Sequence, residues 1–267
     1  MKKYLSYFRI RFINGLQYRI AAYAGVATQF AWGFMEILLY NALQKSNPAA
    51  FPMELSQLNS YMWLRQALLG LFAAWFFDSE TLDMVTSGNV AYELCRPINI
   101  YAIWFTKDLA TRTSKAALRC IPIFAVAFFL PENLRMYPPE SPLALLLFVV
   151  SAIMGVLIMV GVTMWIYGSA FYTVSTLGVR IIAMNVIEFF SGALIPIPFF
   201  PDSFQRFMSI LPFASTQSTP FLIYGGSLTG RACTEALLLQ LFWIVVIIGG
   251  GALFFRRASR RIVVMGG

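Results

Sequence analysis

Apolar residues cluster into six stretches of this chain, separated by more polar connections. The six stretches cover about residues 20–43, 58–77, 105–130, 143–166, 177–195 and 234–255. A helix needs roughly 20 mainly apolar residues to cross a bilayer. The pattern therefore predicts an all-α, polytopic membrane protein with six transmembrane helices, in a single domain over residues 1–267.

The third stretch differs from the others because its first half is charged. Five charged residues occupy this half: Lys107, Asp108, Arg112, Lys115 and Arg119. A charge in the hydrocarbon core is costly unless it is paired or faces a cavity. We therefore expect this helix to begin in the cytosol and to enter the membrane partway along its length.

Residues 1–19 combine basic and aromatic side chains at helical spacing. Leu5, Phe8, Phe12 and Leu16 recur on one face, and the basic residues lie elsewhere. This arrangement predicts an amphipathic helix that lies on the cytoplasmic surface of the bilayer. A disordered basic tail is the alternative.

The segment 191–220 is apolar but cannot form a straight helix. It contains five prolines: Pro196, Pro198, Pro201, Pro212 and Pro220. Each proline removes a backbone donor and clashes with the preceding turn. Irregular backbone at membrane depth is tolerated only where protein or a water-filled cavity shelters it. The pattern predicts a re-entrant segment between the fifth and sixth spans, as expected of a transport protein more than of a simple anchor.

Lysine and arginine are distributed unevenly between the connections. With the N-terminus in the cytosol, the cytosolic segments 1–19, 78–119, 167–180 and 256–267 hold five, five, one and four of them, which is 15 of the 20 in the chain. An excess of basic residues marks cytoplasmic loops. This asymmetry predicts that both termini are cytoplasmic and that the segment 191–220 lies on the outer side.

The composition excludes several classes of function. Hydrophobic residues make up 59% of the chain and charged residues 12%, against about 25% charged in soluble domains, so a soluble catalytic domain does not fit. We assign the net charge of +8 to cytoplasmic loops and not to a nucleic-acid partner. Because the chain has no histidine and its three cysteines are scattered, we expect no catalytic residue, no metal site and no disulfide framework. The protein is expected in the cytoplasmic membrane, in contact with lipids.

Three ionisable residues fall inside predicted spans: Glu36 in the first, Arg65 in the second and Glu188 in the fifth. We expect Glu36 and Arg65, both in the outer half of the membrane, to form an ion pair that fixes the register of their helices. Two roles are left open for Glu188. It lies on the substrate path or at a subunit interface, or else its role is structural.

The connection between the second and third spans is the longest on the predicted cytoplasmic side. Gly88 suits a turn, and residues 89–95 suit a short helix that Pro97 ends. A short helix held under the membrane is a good contact for a soluble partner. The alternative is a solvated connector, which most loops are.

Two motifs lie on opposite sides of the predicted membrane. The cytoplasmic loop carries a glycine, leucine, arginine and proline as Gly88, Leu94, Arg96 and Pro97. The outer segment carries Ser191, Gly192, Pro196, Phe200, Pro201, Leu211, Pro212, Phe213 and Pro220, and Gly225 closes it. These motifs resemble patterns of ABC-2 type permeases, although the leucine is one residue further from the glycine than in the family pattern. The plan of six spans also agrees, so the resemblance covers essentially the whole chain.

The resemblance implies the permease subunit of an ABC exporter. Such a subunit pairs with a second permease, identical or related, and with two copies of a cytosolic ATP-binding cassette ATPase. A coupling helix within 86–97 would contact the ATPase through Gly88, Asn89, Glu93, Leu94, Arg96 and Pro97. Two re-entrant helices within 196–222 would form an outer gate, with Gly192, Pro196, Phe200, Pro201, Pro212 and Phe213 as its residues. The family's substrates are hydrophobic or amphipathic and include drugs, antibiotics, lipids and lipid-linked glycans.

The chain contains no GxxxxGK(S/T) phosphate-binding loop. ATP and magnesium are therefore expected on the partner ATPase, and no cofactor on this chain. The alternative function is an ion- or proton-driven secondary carrier, which usually shows broken helices in both halves, whereas this chain has one broken segment, in the second half. An intramembrane enzyme or a channel has less support, because neither a catalytic constellation nor a ring-forming motif is present.

Overall fold

The computed structural model describes residues 2–17, 19–48, 51–95, 97–173 and 176–259. Within these ranges the chain is helical and contains no strand, so the all-α prediction is confirmed. The thirteen α-helices are α1 (Lys2–Gly15), α2 (Arg19–Ser46), α3 (Leu55–Ala67), α4 (Leu69–Phe72), α5 (Ser79–Thr86), α6 (Val90–Leu94), α7 (Ile100–Phe129), α8 (Pro142–Ser169), α9 (Thr176–Phe190), α10 (Asp202–Ile210), α11 (Ser218–Tyr224), α12 (Gly230–Ile244) and α13 (Gly250–Ala258).

Three predicted spans form continuous helices, namely α2, α7 and α8. The start of α7 is capped by the Asn99 side chain, which accepts a hydrogen bond from the Ala102 amide. The start of α8 is capped in the same way by Ser141, and Pro142 occupies the first turn, where a missing amide hydrogen costs nothing. Pro122 lies inside α7 without ending it.

Two predicted spans are interrupted. The second divides into α3 and α4 at Leu68, and the chain becomes irregular after Phe72, so a single helix over 58–77 is wrong. The reason is that carbonyl groups at the end of α4 accept hydrogen bonds from the Arg112 side chain of α7, and not from amides of a further helical turn. The sixth contains a π-helical turn, Val245–Gly249, between α12 and α13.

The fifth predicted span is shorter than expected. It extends over α9 alone, which has 15 residues and a length of about 22 Å, less than the roughly 30 Å of a hydrocarbon core. The chain leaves the helix at Ser191 and turns at Gly192, whose φ of 77° favours glycine.

Two helical stretches among the described residues are long and apolar enough to cross a membrane by themselves. They are Pro142–Tyr172 and Gly230–Ala258. Of the other predicted spans, the second is interrupted and α9 is short, while α2 and the charged α7 are long enough but not apolar enough. Helices of this second kind can cross a membrane only when neighbouring helices cover their polar groups.

Helix α8 lies at the centre of the bundle and contacts α7, α11, α12 and α13. Gly155 permits α8 to approach the irregular chain before α11 closely, because a Cβ atom at this position would collide with the carbonyl oxygen of Thr216. Gly70 of α4 has the same role against α7, since a Cβ atom there would meet the Ala116 amide nitrogen at 2.6 Å. The irregular segments are therefore packed directly against helix backbones.

Arg112 of α7 is fully buried and joins three parts of the bundle. Its Nε donates to the Asp108 carboxylate at 2.8 Å. Its terminal nitrogens donate to the carbonyl oxygens of Leu71, Ala73 and Phe76 and to Thr163 Oγ1 of α8, at 2.9–3.4 Å. The last carbonyl groups of a helix have no partner within the helix. Arg112 therefore caps α4 and fixes the irregular chain that follows it.

Replacing Arg112 with leucine should destabilise the protein severely. The change leaves the buried carboxylate of Asp108 unpaired, and breaking a buried ion pair from one side costs about 3–5 kcal/mol. The melting temperature of the purified protein in detergent should fall accordingly. The exposed Arg231, whose side chain is 93% accessible, is the matched control, and Arg231→Leu should have little effect.

A double variant tests the cause of this effect. Arg112→Leu combined with Asp108→Leu should be less destabilised than Arg112→Leu alone, because no unpaired charge remains. Equal or greater destabilisation of the double variant would show that the lost carbonyl contacts, and not the unpaired carboxylate, dominate.

Candidate functional site

A cavity of about 410 Å³ lies between α2, α3, α7, α9 and the turn that follows α9. Helix α2 contributes a single face to it, on which Gly25, Gln29, Trp32 and Glu36 follow one another at three or four positions and Thr28 lies beside Gln29. The same cavity is lined by Arg65, Arg119 and Glu188. The fold therefore brings the three ionisable residues singled out in the sequence to one site and adds Arg119.

An ion pair joins Glu36 of α2 to Arg65 of α3, the pairing that the sequence favours. Gln66 donates a further hydrogen bond to Glu36 at 3.3 Å. Arg65 also donates to the carbonyl oxygen of Ala193, in the turn after α9. Arg65 thus fixes α2 and this turn to the same helix.

Glu188 lies near the end of α9, half-buried beside the cavity. Its carboxylate accepts a hydrogen bond from the backbone amide of Ala74 at 3.0 Å. Ala74 belongs to the irregular chain whose carbonyl groups Arg112 holds. Glu188 therefore connects α9 to that chain and also lines the cavity.

A second charged cluster lies beneath the cavity, where α5 meets α7. Lys107 Nζ lies 2.5 Å from Asp78 Oδ2 and 2.9 Å from Glu80 Oε2, and it donates to Thr81 Oγ1 at 3.3 Å. The Asp78 amide donates to the Tyr167 hydroxyl of α8 at 2.8 Å. Burial raises the pKa of the Asp78 carboxyl, but hydrogen bonds from Lys107 and Thr81 and the charge of Lys107 outweigh it, so this pKa is lowered.

The predicted coupling region forms the short helix α6. Gly88 precedes it with a φ of 76°, which favours glycine, and Asn89 is exposed. The carboxylate of Glu93 accepts a hydrogen bond from Trp104 Nε1 of α7 at 2.7 Å. The exposed Pro97 accepts a hydrogen bond at its carbonyl oxygen from Lys3 of α1, at 3.4 Å.

The side chains of two residues predicted to contact the ATPase, Leu94 and Arg96, are not described by the structure. Leu94 is the last residue of α6, and its side chain lies outside the described part of the chain, as does the whole of Arg96. The structure instead draws attention to Tyr92, which the sequence reasoning missed. Its side chain is 76% exposed on α6, although tyrosine is usually at least partly buried.

Side chains of neighbouring elements hold the irregular backbone of the outer segment. The Tyr61 hydroxyl donates to the Gly192 carbonyl at 3.0 Å. Gln205 donates to the carbonyl oxygens of Pro198 and Phe200 at 3.0 and 2.6 Å, and Gln240 of α12 donates to that of Ser215 at 2.8 Å. These bonds replace the helical ones that the prolines prevent, as expected for buried backbone groups.

The predicted gate residues occupy this segment at different depths. Gly192, Pro196 and Pro212 are buried, and Pro201 is exposed at the start of α10. The half-buried Phe200 and Phe213 belong to a cluster of rings in edge-to-face and tilted contacts, with four further phenylalanines: Phe189, Phe190, Phe204 and Phe207. The segment contains one 3₁₀ turn, Ile197–Phe199, and the helices α10 and α11.

The comparison with known protein families agrees with this architecture. A family profile described as ABC-2 family transporter protein matches residues 21–266. The chain belongs to the ABC-2 transporter family. The resemblance inferred from the two motifs is thereby confirmed. No curated protein matches the sequence significantly.

Membership of the ABC-2 transporter family makes the chain a membrane protein and an ABC permease. Permeases of this family are transport subunits and are not themselves catalytic. They work with ATP-binding cassette ATPases. The cavity and the helices α5 and α6 therefore belong to an ABC permease.

The lowered pKa of Asp78 predicts an acid-sensitive stability. A carboxylate with a depressed pKa in the folded state contributes stability that is present above its unfolded pKa, 3.8, and is lost as the pH falls through the folded value. Asp78→Asn should therefore reduce the loss of melting temperature between about pH 5 and about pH 3. The variant should also be less stable than the unmodified protein at neutral pH.

Asp202→Asn is the matched control for this experiment, because it removes one exposed carboxylate from α10. It should leave the difference in melting temperature between neutral and acidic pH nearly unchanged. The same acid response in Asp78→Asn and the unmodified protein would contradict the assignment.

Proposed function

We propose that this chain is the permease subunit of an ABC exporter. It crosses the cytoplasmic membrane six times and has both termini in the cytosol. Two permeases, identical or related, form the substrate pathway, and two cytosolic ATPases drive it. The family match carries this proposal. The absence of a phosphate-binding loop from the sequence supports it, because ATP and Mg²⁺ then bind to the partner.

The cytosolic helices support a coupling role for the loop between the second and third spans. Helix α6 is tied to α7 by Glu93 and Trp104, and α5 is tied to the same helix by Lys107. Helix α7 continues from these contacts to Arg119 at the cavity. A displacement of α5 and α6 by an ATPase would therefore act on the cavity through one rigid helix.

The faces of α2 and α9 support pairing with a second permease. Helix α9 buries only Ile187 fully and exposes Leu177, Ile181 and Ile182. Helix α2 exposes a row of large apolar residues between Ile20 and Leu43. In a bilayer these faces contact lipid or another subunit. Because the cavity lies between the two helices, a second copy at this position would complete the pathway.

The outer segment would close this pathway on the far side of the membrane. Its backbone is held by Tyr61 and Arg65 of α3 and by Gln240 of α12. The phenylalanine cluster forms an apolar layer above the end of α9. Opening requires these rings to separate, which exposes apolar surface and favours the closed state at rest.

The docking of the ATPase can be tested on α6 and its flanks. Tyr92→Ala, Leu94→Gly and Arg96→Glu should each reduce co-purification of the permease with its ATPase by about tenfold or more, because they remove contacts at the centre of the proposed interface. Membrane insertion should be unchanged. The matched control is Arg9→Glu, which reverses an exposed charge on α1.

The outcome separates the candidate functions. Unchanged assembly in all three variants would reject α6 as the coupling helix. Purification without any ATPase, together with transport driven by an ion gradient, would instead favour the secondary carrier.

The outer position of the segment after α9 can be tested by cysteine labelling in whole cells. In a variant that lacks the three native cysteines, Phe200→Cys and Phe213→Cys should react with a membrane-impermeant maleimide added outside. The native Cys95, exposed beside α6, is the control when present as the sole cysteine, and it should react only after permeabilisation. The reverse pattern would place the segment in the cytosol.

A further inference from the structure

The cavity contains a buried polar side chain without a partner. Gln29 of α2 is 3% exposed, and neither its amide nitrogen nor its amide oxygen finds a hydrogen-bond partner among the described residues. Gln29 lines the cavity. Buried amides are almost always hydrogen-bonded, and leaving one unsatisfied is costly. The cavity is therefore built to receive a group that can donate and accept hydrogen bonds.

Arg119 of α7 packs against Gly25, which lies one helical turn before Gln29 on α2. A Cβ atom at Gly25 would lie 2.9 Å from the Arg119 guanidinium carbon, so glycine leaves the space that the guanidinium occupies. Residues four apart on a helix have Cβ atoms about 5–6 Å apart, which brings the guanidinium and the Gln29 amide to one end of the cavity. Within the described residues, Arg119 forms no ion pair, and its buried Nε has no hydrogen-bond partner.

The carboxylates of the cavity do not neutralise this arginine in the structure. Glu36 is paired with Arg65 and bonded to Gln66. Glu188 accepts from the Ala74 amide. Arg119 itself lies about 28 Å along α7 from its start, within the third predicted span. A cation at that depth is costly unless an anion meets it.

The rest of the cavity wall is largely apolar. Trp32, Leu69, Trp75 and Leu194 line it. Trp32 and Leu194 are 53% and 59% exposed, so the wall continues onto the surface between α2 and α9. A ligand that satisfies both parts carries a charged head and an apolar body, and the body can lie against this surface.

We propose that the Arg119 and Gln29 end of the cavity binds the anionic head of an amphiphile, whose apolar part lies along Trp32 and Leu194. The guanidinium supplies a fork of donors that suits phosphate or carboxylate oxygens, and the Gln29 amide both donates and accepts. Glu36 and Arg65 line the opposite end of the cavity, where their charges neutralise each other. That this amphiphile is the transported cargo rests on the proposed function, whereas the binding itself does not.

Binding is measured on the purified full-length chain in a neutral detergent, without an ATPase. The probes are dioctanoyl phosphatidylglycerol, which is anionic, dioctanoyl phosphatidylcholine, which is zwitterionic, and glycerol 3-phosphate, which has the anionic group without acyl chains. The unmodified protein should bind the phosphatidylglycerol at least about tenfold more tightly than either other probe, a difference of about 1.4 kcal/mol. Native mass spectrometry gives the number bound.

Two variants act on the site in different ways. Arg119→Gln removes the cation and should abolish the preference for the anionic lipid. Gly25→Ala keeps the charge but places a methyl group where the guanidinium lies. It should weaken binding of the anionic lipid severalfold and leave the affinity for phosphatidylcholine unchanged. The matched control is Arg231→Gln, which removes an exposed arginine and should preserve the preference.

Each alternative result decides against the proposal. Equal affinity for both lipids, or an unchanged preference in Arg119→Gln, would reject the anion site. Glycerol 3-phosphate binding as tightly as the phosphatidylglycerol would show a site for a soluble anion and reject the amphiphile. Binding confined to the monomer and lost in a dimer would show that a second copy occupies the cavity. The proposed function is tested separately: if the unmodified chain purifies without any ATPase, that function is rejected and this binding result stands.

Discussion

The buried guanidinium of Arg112 is the interaction on which the rest of this architecture depends. It holds the carbonyl groups of the chain after α4, where the second span stops being helical, and ties that chain to α7 and α8. The position of this chain then sets the position of others. Its Ala74 amide bonds to Glu188 of α9, and its end at Asp78 meets Lys107. A charge without access to water is stable only with a complete set of partners, so these elements cannot move independently.

The same constraint explains the outer segment. Prolines remove helical hydrogen bonds there, and side chains such as Tyr61 and Gln240 donate replacement hydrogen bonds to the backbone carbonyl oxygens. In both regions, side chains donate hydrogen bonds to backbone carbonyl groups that lack a helical partner, and these bonds restrain the chain. The cavity between them is different, because Gln29 and Arg119 have no partners in the described part of the chain. Rigid surroundings with unsatisfied polar groups at one end are the arrangement expected of a preorganised binding site.

Helix α7 connects α5 and α6 to the cavity. Its charged residues Asp108, Arg112, Lys115 and Arg119 are spaced by four, three and four positions and so lie on one face. The face begins near α5 and ends at the cavity. The cost of separating the Asp108–Arg112 ion pair from its partners favours movement of α7 as a unit. In the proposed mechanism, this unit would transmit a displacement from α6 to the cavity.

Much of this protein follows from its sequence. Hydrophobic runs determined an all-α membrane protein, since a bilayer leaves helices as the only local way to satisfy backbone groups. The prolines of 191–220 determined a broken segment, and two motifs indicated the family. The spacing of Glu36 and Arg65 within their spans suggested their ion pair, and the i, i+4 spacing of Asp108 and Arg112 could have revealed theirs. Only the tertiary structure decided that the second span breaks at Leu68 and that Arg119 and Gln29 share one cavity. Both outcomes depend on contacts between helices distant in sequence, and local periodicity cannot specify which buried polar group meets which partner.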